Sequence, residues 1–176
     1  MDETSQLVLL LRNLYAHSIC DNAPWGARLQ SIAEQAMNDG IYCELFRIVL
    51  CEPTNTTEDT QAMLVSTIKE LDPSTAIPNR EMCDQIYIGA RLQELLANDT
   101  KAIEIAHDLL IRVYHNDHYI NPNFMDLSVI LSVYYQWWAG DSEWMIGDQL
   151  ESSRIRTISE LQTAASEWLA KHYPCL

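Results

Sequence analysis

An all-α fold is what this sequence predicts, and three observations carry the expectation. Apolar residues recur at spacings of three and four along most of the chain, the period of a helix with one buried face. Helix start and stop signals punctuate those runs: Pro24 and Pro122 suit a first turn, Gly40 and Gly140 suit an end, and Thr57 stands ahead of two acids. Glycine is scarce, 5 residues in 176, too few for the turns of a β-rich chain. With 48% apolar residues the chain has enough to bury a core. The expectation is one domain over 1–176, a compact bundle of about seven or eight helices with the helix near 122–139 central. The most loop-like stretch, "DPSTAIPN", makes 72–79 the place for a break between two halves.

The elements follow in order. A first helix over 4–20 carries Leu7, Leu10, Leu11 and Leu14 in one stripe. Pro24 opens a second, with Trp25, Leu29, Ile32, Ala33 and Ala36 on one face and Gly40 as its left-handed end. "IYCELFRIVL" forms a short third helix that stops before Pro53. Thr57 caps a fourth that runs to Leu71, with Glu58 and Asp59 at the positive end of its dipole. The fifth covers 80–97, and Asn98-Asp99 ends it and caps the sixth, 100–115. Pro122 opens the seventh, apolar on all sides from Phe124 to Trp138 and so expected to be buried, with Gly140 as its stop. The stretch 141–172 is one long helix or two, since Thr157-x-x-Glu160 spells a capping box and a break near Arg154.

Charge narrows the function classes. The chain carries −14, from 25 acidic against 11 basic residues, and only three lysines. Phosphate backbones are bound by Lys and Arg that displace counterions, so direct nucleic-acid binding is disfavoured, as is an anionic membrane. A protein partner with a basic surface is the expected ligand. The five cysteines are odd in number and irregularly spaced, against both a disulfide framework and a thiolate zinc site. "MDETSQ" lacks the basic start and apolar run of a secretory leader, and no apolar stretch approaches the roughly 18–20 residues of a membrane helix. The expectation is a cytoplasmic protein in a reducing compartment, with no cofactor and no metal. P-loop, G-x-G-x-x-G and nucleophile-elbow patterns are missing from the sequence.

Four groups of residues are candidates for chemistry or binding. The aromatic cluster "YYQWWAGDSEW" is followed by an acidic run, and Trp144 among Asp141, Glu143, Asp148 and Glu151 suits a basic partner. Glu104 and His107 share a helical face beside Asp108, the spacing of half a di-metal site. His115, Asp117 and His118 crowd a polar turn where imidazole and carboxylate ligands could meet. Arg12, Asn13 and His17 form R-N-x-x-x-H on the first helix.

That last motif resembles the HEPN ribonuclease signature. The resemblance implies a dimer whose paired motifs share a cleft, with His17 as general acid or base for a ribose 2′-hydroxyl, Arg12 stabilising the charged transition state and Asn13 orienting them. The motif lies in the first helix here, whereas that family places it late in its bundle. The rhythm from "DGIYCELFRIVL" through "TNTTEDTQAMLVSTIKEL" is similar to armadillo and HEAT repeats, which implies a binding scaffold, although only one unit is persuasive. The leading expectation is an acidic protein-interaction module, in its sharper form an inhibitor or immunity-type protein that blocks a basic site.

Overall fold

The computed structural model describes residues 3–20, 25–51, 58–114, 124–141 and 147–173, and every regular element among them is helical. The chain divides into two units, Met1–Tyr87 and Ile88–Leu176, with the division inside the fifth helix. The stretch 72–79 is the connection that enters that helix.

The first unit holds α1 (Glu3–Cys20), α2 (Gly26–Asn38), α3 (Glu44–Cys51), α4 (Glu58–Leu71) and the opening turns of α5 (Arg80–Ala97). Helix α1 packs on α2 and α4, and α3 packs on the same two, which closes a ring around one core. Leu11, Leu29, Phe46, Leu64 and Ile68, at least one from each of the four helices, are fully buried there. Gly40 ends α2 as expected, at φ +79°, with the Ile41 amide reaching back to the Ala36 carbonyl at 2.8 Å. That bond commits Ile41 to the cap, so α3 begins only at Glu44. Trp25, not a polar side chain, stands at the start of α2 and makes no capping bond; Pro24 lies outside the described residues, as does Thr57. The cap of α5 is Asn79, whose Oδ1 accepts the Met82 amide at 2.9 Å. Gln61 of α4 donates to the Ser18 carbonyl at 3.0 Å and holds the end of α1.

The second unit holds the rest of α5, α6 (Ala102–Tyr114), α7 (Leu127–Gln136) and α8 (Asp148–His172). Helix α7 lies between α6 and α8 and buries Leu127, Ile130, Leu131 and Tyr134 against them. Five expectations change here. Asn98 does not cap α6: its Oδ1 takes the Thr100 hydroxyl at 2.7 Å, and a 3-10 turn over Asp99–Lys101 leads in. Helix α7 is shorter than 122–139, because Met125 and Asp126 are left-handed at φ 49° and 60° and break the helical path ahead of Leu127. Gly140 is no stop, since the chain continues through it as a π turn over Trp137–Asp141. Helix α8 runs unbroken past Arg154, because Ser153, Thr157, Leu161, Ala164 and Trp168 form one buried stripe and Thr157 is needed inside it. Nor is α7 buried on all sides: Val129, Tyr135 and Trp138 are about half exposed, at 53%, 53% and 47%.

Two local devices fix the ends. Asp126 engages Lys171 and, at 3.4 Å, His172 Nε2, while the His172 ring lies 5.2 Å from that of Trp168, so the left-handed corner is tied to the last turn of α8. Gly89 of α5 lets the Tyr173 ring cross against the helix backbone; a Cβ there would meet ring carbons at 2.5 Å. Gly89→Ala should therefore destabilise the protein by about 1–3 kcal/mol, overriding the gain in helix propensity. Urea unfolding checks this, and a stabilised variant would contradict the packing. In the α4–α5 connection Asp72 accepts the Ser74 hydroxyl at 2.6 Å, the Thr75 hydroxyl, and the Ser74 amide at 2.9 Å. Those bonds, the Ser74 hydroxyl foremost, hold its carboxyl at about 2 instead of the ordinary 3.8. The folded pKa is the lower one, so the turn is at full strength above 3.8 and weakens as pH falls through about 2. Carboxyl-detected NMR should place the Asp72 midpoint near 2; an ordinary midpoint would mean the turn is open in solution.

Candidate functional site: an open groove between α6 and α7

The face of α7 that its neighbours leave open is built by spacing. Ser128, Leu131, Ser132, Tyr135 and Trp138 succeed one another three or four apart, apart from the Leu131-Ser132 step, and so lie along one side. Opposite them α6 contributes His107, Leu110 and Ile111. Together they line a groove of about 960 Å³, predominantly apolar and open to solvent. The two serines keep its wall low between Leu131 and the aromatic end. Tyr135 and Trp138 stand at that end with ring centroids 5.9 Å apart. His107 is anchored below by Tyr134, whose hydroxyl lies 2.8 Å from Nδ1. Burial raises the Tyr134 pKa, so that hydroxyl keeps its proton and can donate to the ring. The groove offers apolar surface, two aromatic rings and hydroxyls, the inventory of a recognition surface.

The acidic run after the aromatic cluster is only partly described. Trp144 and Glu143 lie outside the described residues, and Asp141 closes the π turn with its side chain outside them as well. Asp148 and Glu151 are exposed at the start of α8. Helical geometry brings bases alongside them: Glu151 stands 3.8 Å from Arg154, and Arg156 shares a shallow surface with Asp148. The pairing recurs along the chain. Arg47 engages Glu44, Arg80 engages Asp84, Arg91 engages both Glu94 and Asp108, and Lys171 engages Asp126.

The other candidates are placed as follows. Glu104, His107 and Asp108 do not converge: His107 turns to Tyr134, and Asp108 takes the Arg91 Nη2 at 3.0 Å. No group of three or more metal-ligating side chains forms among the described residues. His115, Asp117 and His118 lie outside them. Arg12 and His17 are half-buried, and both address the opening of α5. Arg12 Nη2 donates to the Met82 sulfur at 3.5 Å, and the His17 ring meets Tyr87 edge-on at 5.2 Å. Arg12 Nε and Asn13 Oδ1 are buried without a hydrogen-bond partner.

One polar cluster in the same region escaped the sequence. Asp84, only 8% exposed, accepts Cys20 Sγ at 3.3 Å and Arg80 Nε at 3.1 Å. Burial and the neighbouring carboxylate push the Cys20 thiol far up, and burial raises Cys83 to about 11, so both are inert thiols. Only the i,i+4 spacing of Arg80 and Asp84 was legible beforehand; the partner at Cys20 is 64 residues away. No helix among the described residues is long and apolar enough to cross a membrane. Comparison of the chain with protein-family models, with curated proteins and with solved structures gave no match. Asp84→Ala should cost about 1–3 kcal/mol, because it strands a buried thiol and one side of an ion pair. Denaturant titration checks this; a change within about 0.5 kcal/mol, the range of ordinary surface substitutions, would show the cluster is not structural.

Proposed function

We propose that the protein is an acidic protein-interaction module that docks on a basic partner, in its sharper form an inhibitor that covers a basic functional site. The observation that carries this reading is the pair Tyr135 and Trp138, half exposed beside an apolar groove on a chain of net charge −14. Magnitudes divide the labour. An exposed ion pair contributes about 0.2–1 kcal/mol, whereas covering a large apolar side chain contributes about 1.5–3 kcal/mol. The groove therefore supplies affinity, and the surplus of carboxylates selects a cationic partner and speeds encounter. Asp148 and Glu151 belong to that surplus rather than forming a bare acidic patch, since Arg154 and Arg156 lie beside them. Buried cysteines outside any disulfide, Cys20, Cys43 and Cys83, fit a reducing, intracellular setting.

The ribonuclease reading has one observation in its favour, the unpaired Arg12 Nε and Asn13 Oδ1. Against it, the Arg12 and His17 side chains are spent on Met82 and Tyr87. The test is binding to a defined cationic protein surface, such as a core histone, by interferometry across a salt series. Affinity should fall steadily with salt and drop at least tenfold in Trp138→Ala at every concentration. Equal binding of wild type and Trp138→Ala would remove the groove from the account, and cleavage of RNA that is lost in His17→Ala would replace the whole reading with the enzyme.

A further inference from the structure

We infer that the α6/α7 groove receives an amphipathic helix of the partner, one with a leucine-like stripe and Lys or Arg on its flanks. The inference deepens the interaction-module reading and rests on it for the sign of the partner's charge. The shape argument is independent of charge. An open trough between two packed helices accepts the ridge of a third, and its lining must leave holes for the knobs of that helix. Ser128 and Ser132, both exposed and one helical turn apart on α7, leave such holes beside the buried Leu131, and α6 contributes Leu110 and Ile111 to the same groove. Tyr135 and Trp138 close one end as rigid aromatic anchors. A volume of about 960 Å³, open to solvent, has room for several side chains of one helix face.

Charge decides which helix. Residues 88–176 carry twelve acidic and six basic side chains. Four of those six bases, Arg91, Arg154, Arg156 and Lys171, already engage carboxylates of the same unit. Glu104 is exposed on α6, one turn before His107 of the groove. An acidic helix, a nucleic acid, an anionic lipid surface and a second copy of this chain at −14 would each meet repulsion here. A cationic amphipathic helix meets attraction from the acidic surplus of the unit and apolar surface in the groove.

Three synthetic helices test this on the whole protein. One has a leucine stripe with lysine flanks, one has the same stripe with glutamate flanks, and one keeps the lysines with the leucines scrambled. Binding is read by fluorescence anisotropy, and its location by amide shifts in NMR. Ser132→Trp fills the trough from an exposed position, and circular dichroism with thermal melting establishes that it folds; Trp138→Ala is the second variant. The lysine-flanked stripe should bind at least tenfold more tightly than the other two. It should shift Leu110, Ile111, Ser132 and Tyr135, and weaken at least tenfold in both variants. If both lysine peptides bind alike, with shifts gathered at the start of α8 and no effect of Ser132→Trp, the groove inference is overturned while the acidic-module reading stands. If neither lysine peptide binds at low salt, both are overturned. Equal binding of the glutamate peptide overturns the choice of a basic helix. A dimer of the protein itself that Ser132→Trp abolishes, or an oligonucleotide that shifts the same residues, assigns the groove to another occupant and overturns the inference.

Discussion

Helix α7 carries more apolar circumference than its neighbours can cover. Its inner face, Leu127, Ile130, Leu131 and Tyr134, is consumed by α6 and α8. Tyr135, and Trp138 in the turn that follows, stay about half in solvent at the groove. The side left open carries Ser128 and Ser132 as well as the ring of Tyr135, so it is apolar only in part. Were the outer face polar, the second unit would be an ordinary set of helices with a negative surface.

The charge pattern works around this face without creating it. Most of the described arginines sit within one turn of a carboxylate on their own helix, as with Arg47 and Glu44 or Arg91 and Glu94. Such pairs add little stability where they are exposed. Their consequence lies in the sum: the bases are tied locally, and the excess of acids remains as a long-range negative field. Under the proposed interaction, field and groove would act at different ranges, the one on encounter and the other on residence.

Much of the fold was legible because local signals dominate helices. Gly40 announced the left-handed end of α2, and the leucine stripe of α1 announced its buried side. What the sequence hid depended on contacts distant along the chain. Thr157 and Glu160 spell a helix start, yet burial of Thr157 within the stripe of α8 overrides the local signal. The left-handed corner at Met125 and Asp126 has no glycine to mark it, and is tied down by Lys171 at the far end of α8. The aromatic cluster was legible as a candidate surface, but which rings face outward was not. Tyr134 and Tyr135 are adjacent letters with opposite fates, one 3% exposed and the other 53%, and only the placement of α6 and α8 separates them. The groove itself needed both helices, since His107, Leu110 and Ile111 carry no mark that pairs them with α7.

In the proposed interaction module, affinity would reside in the groove beside α7 and not in the acids. Intermolecular nuclear Overhauser effects between a bound, methyl-labelled cationic helix and the aromatic protons of the protein test this most directly, at salt high enough to screen exposed charge. The account predicts cross-peaks from the helix's leucine methyls to the rings of both Tyr135 and Trp138. Loss of the complex at that salt, or methyl contacts confined to the beginning of α8, would contradict it.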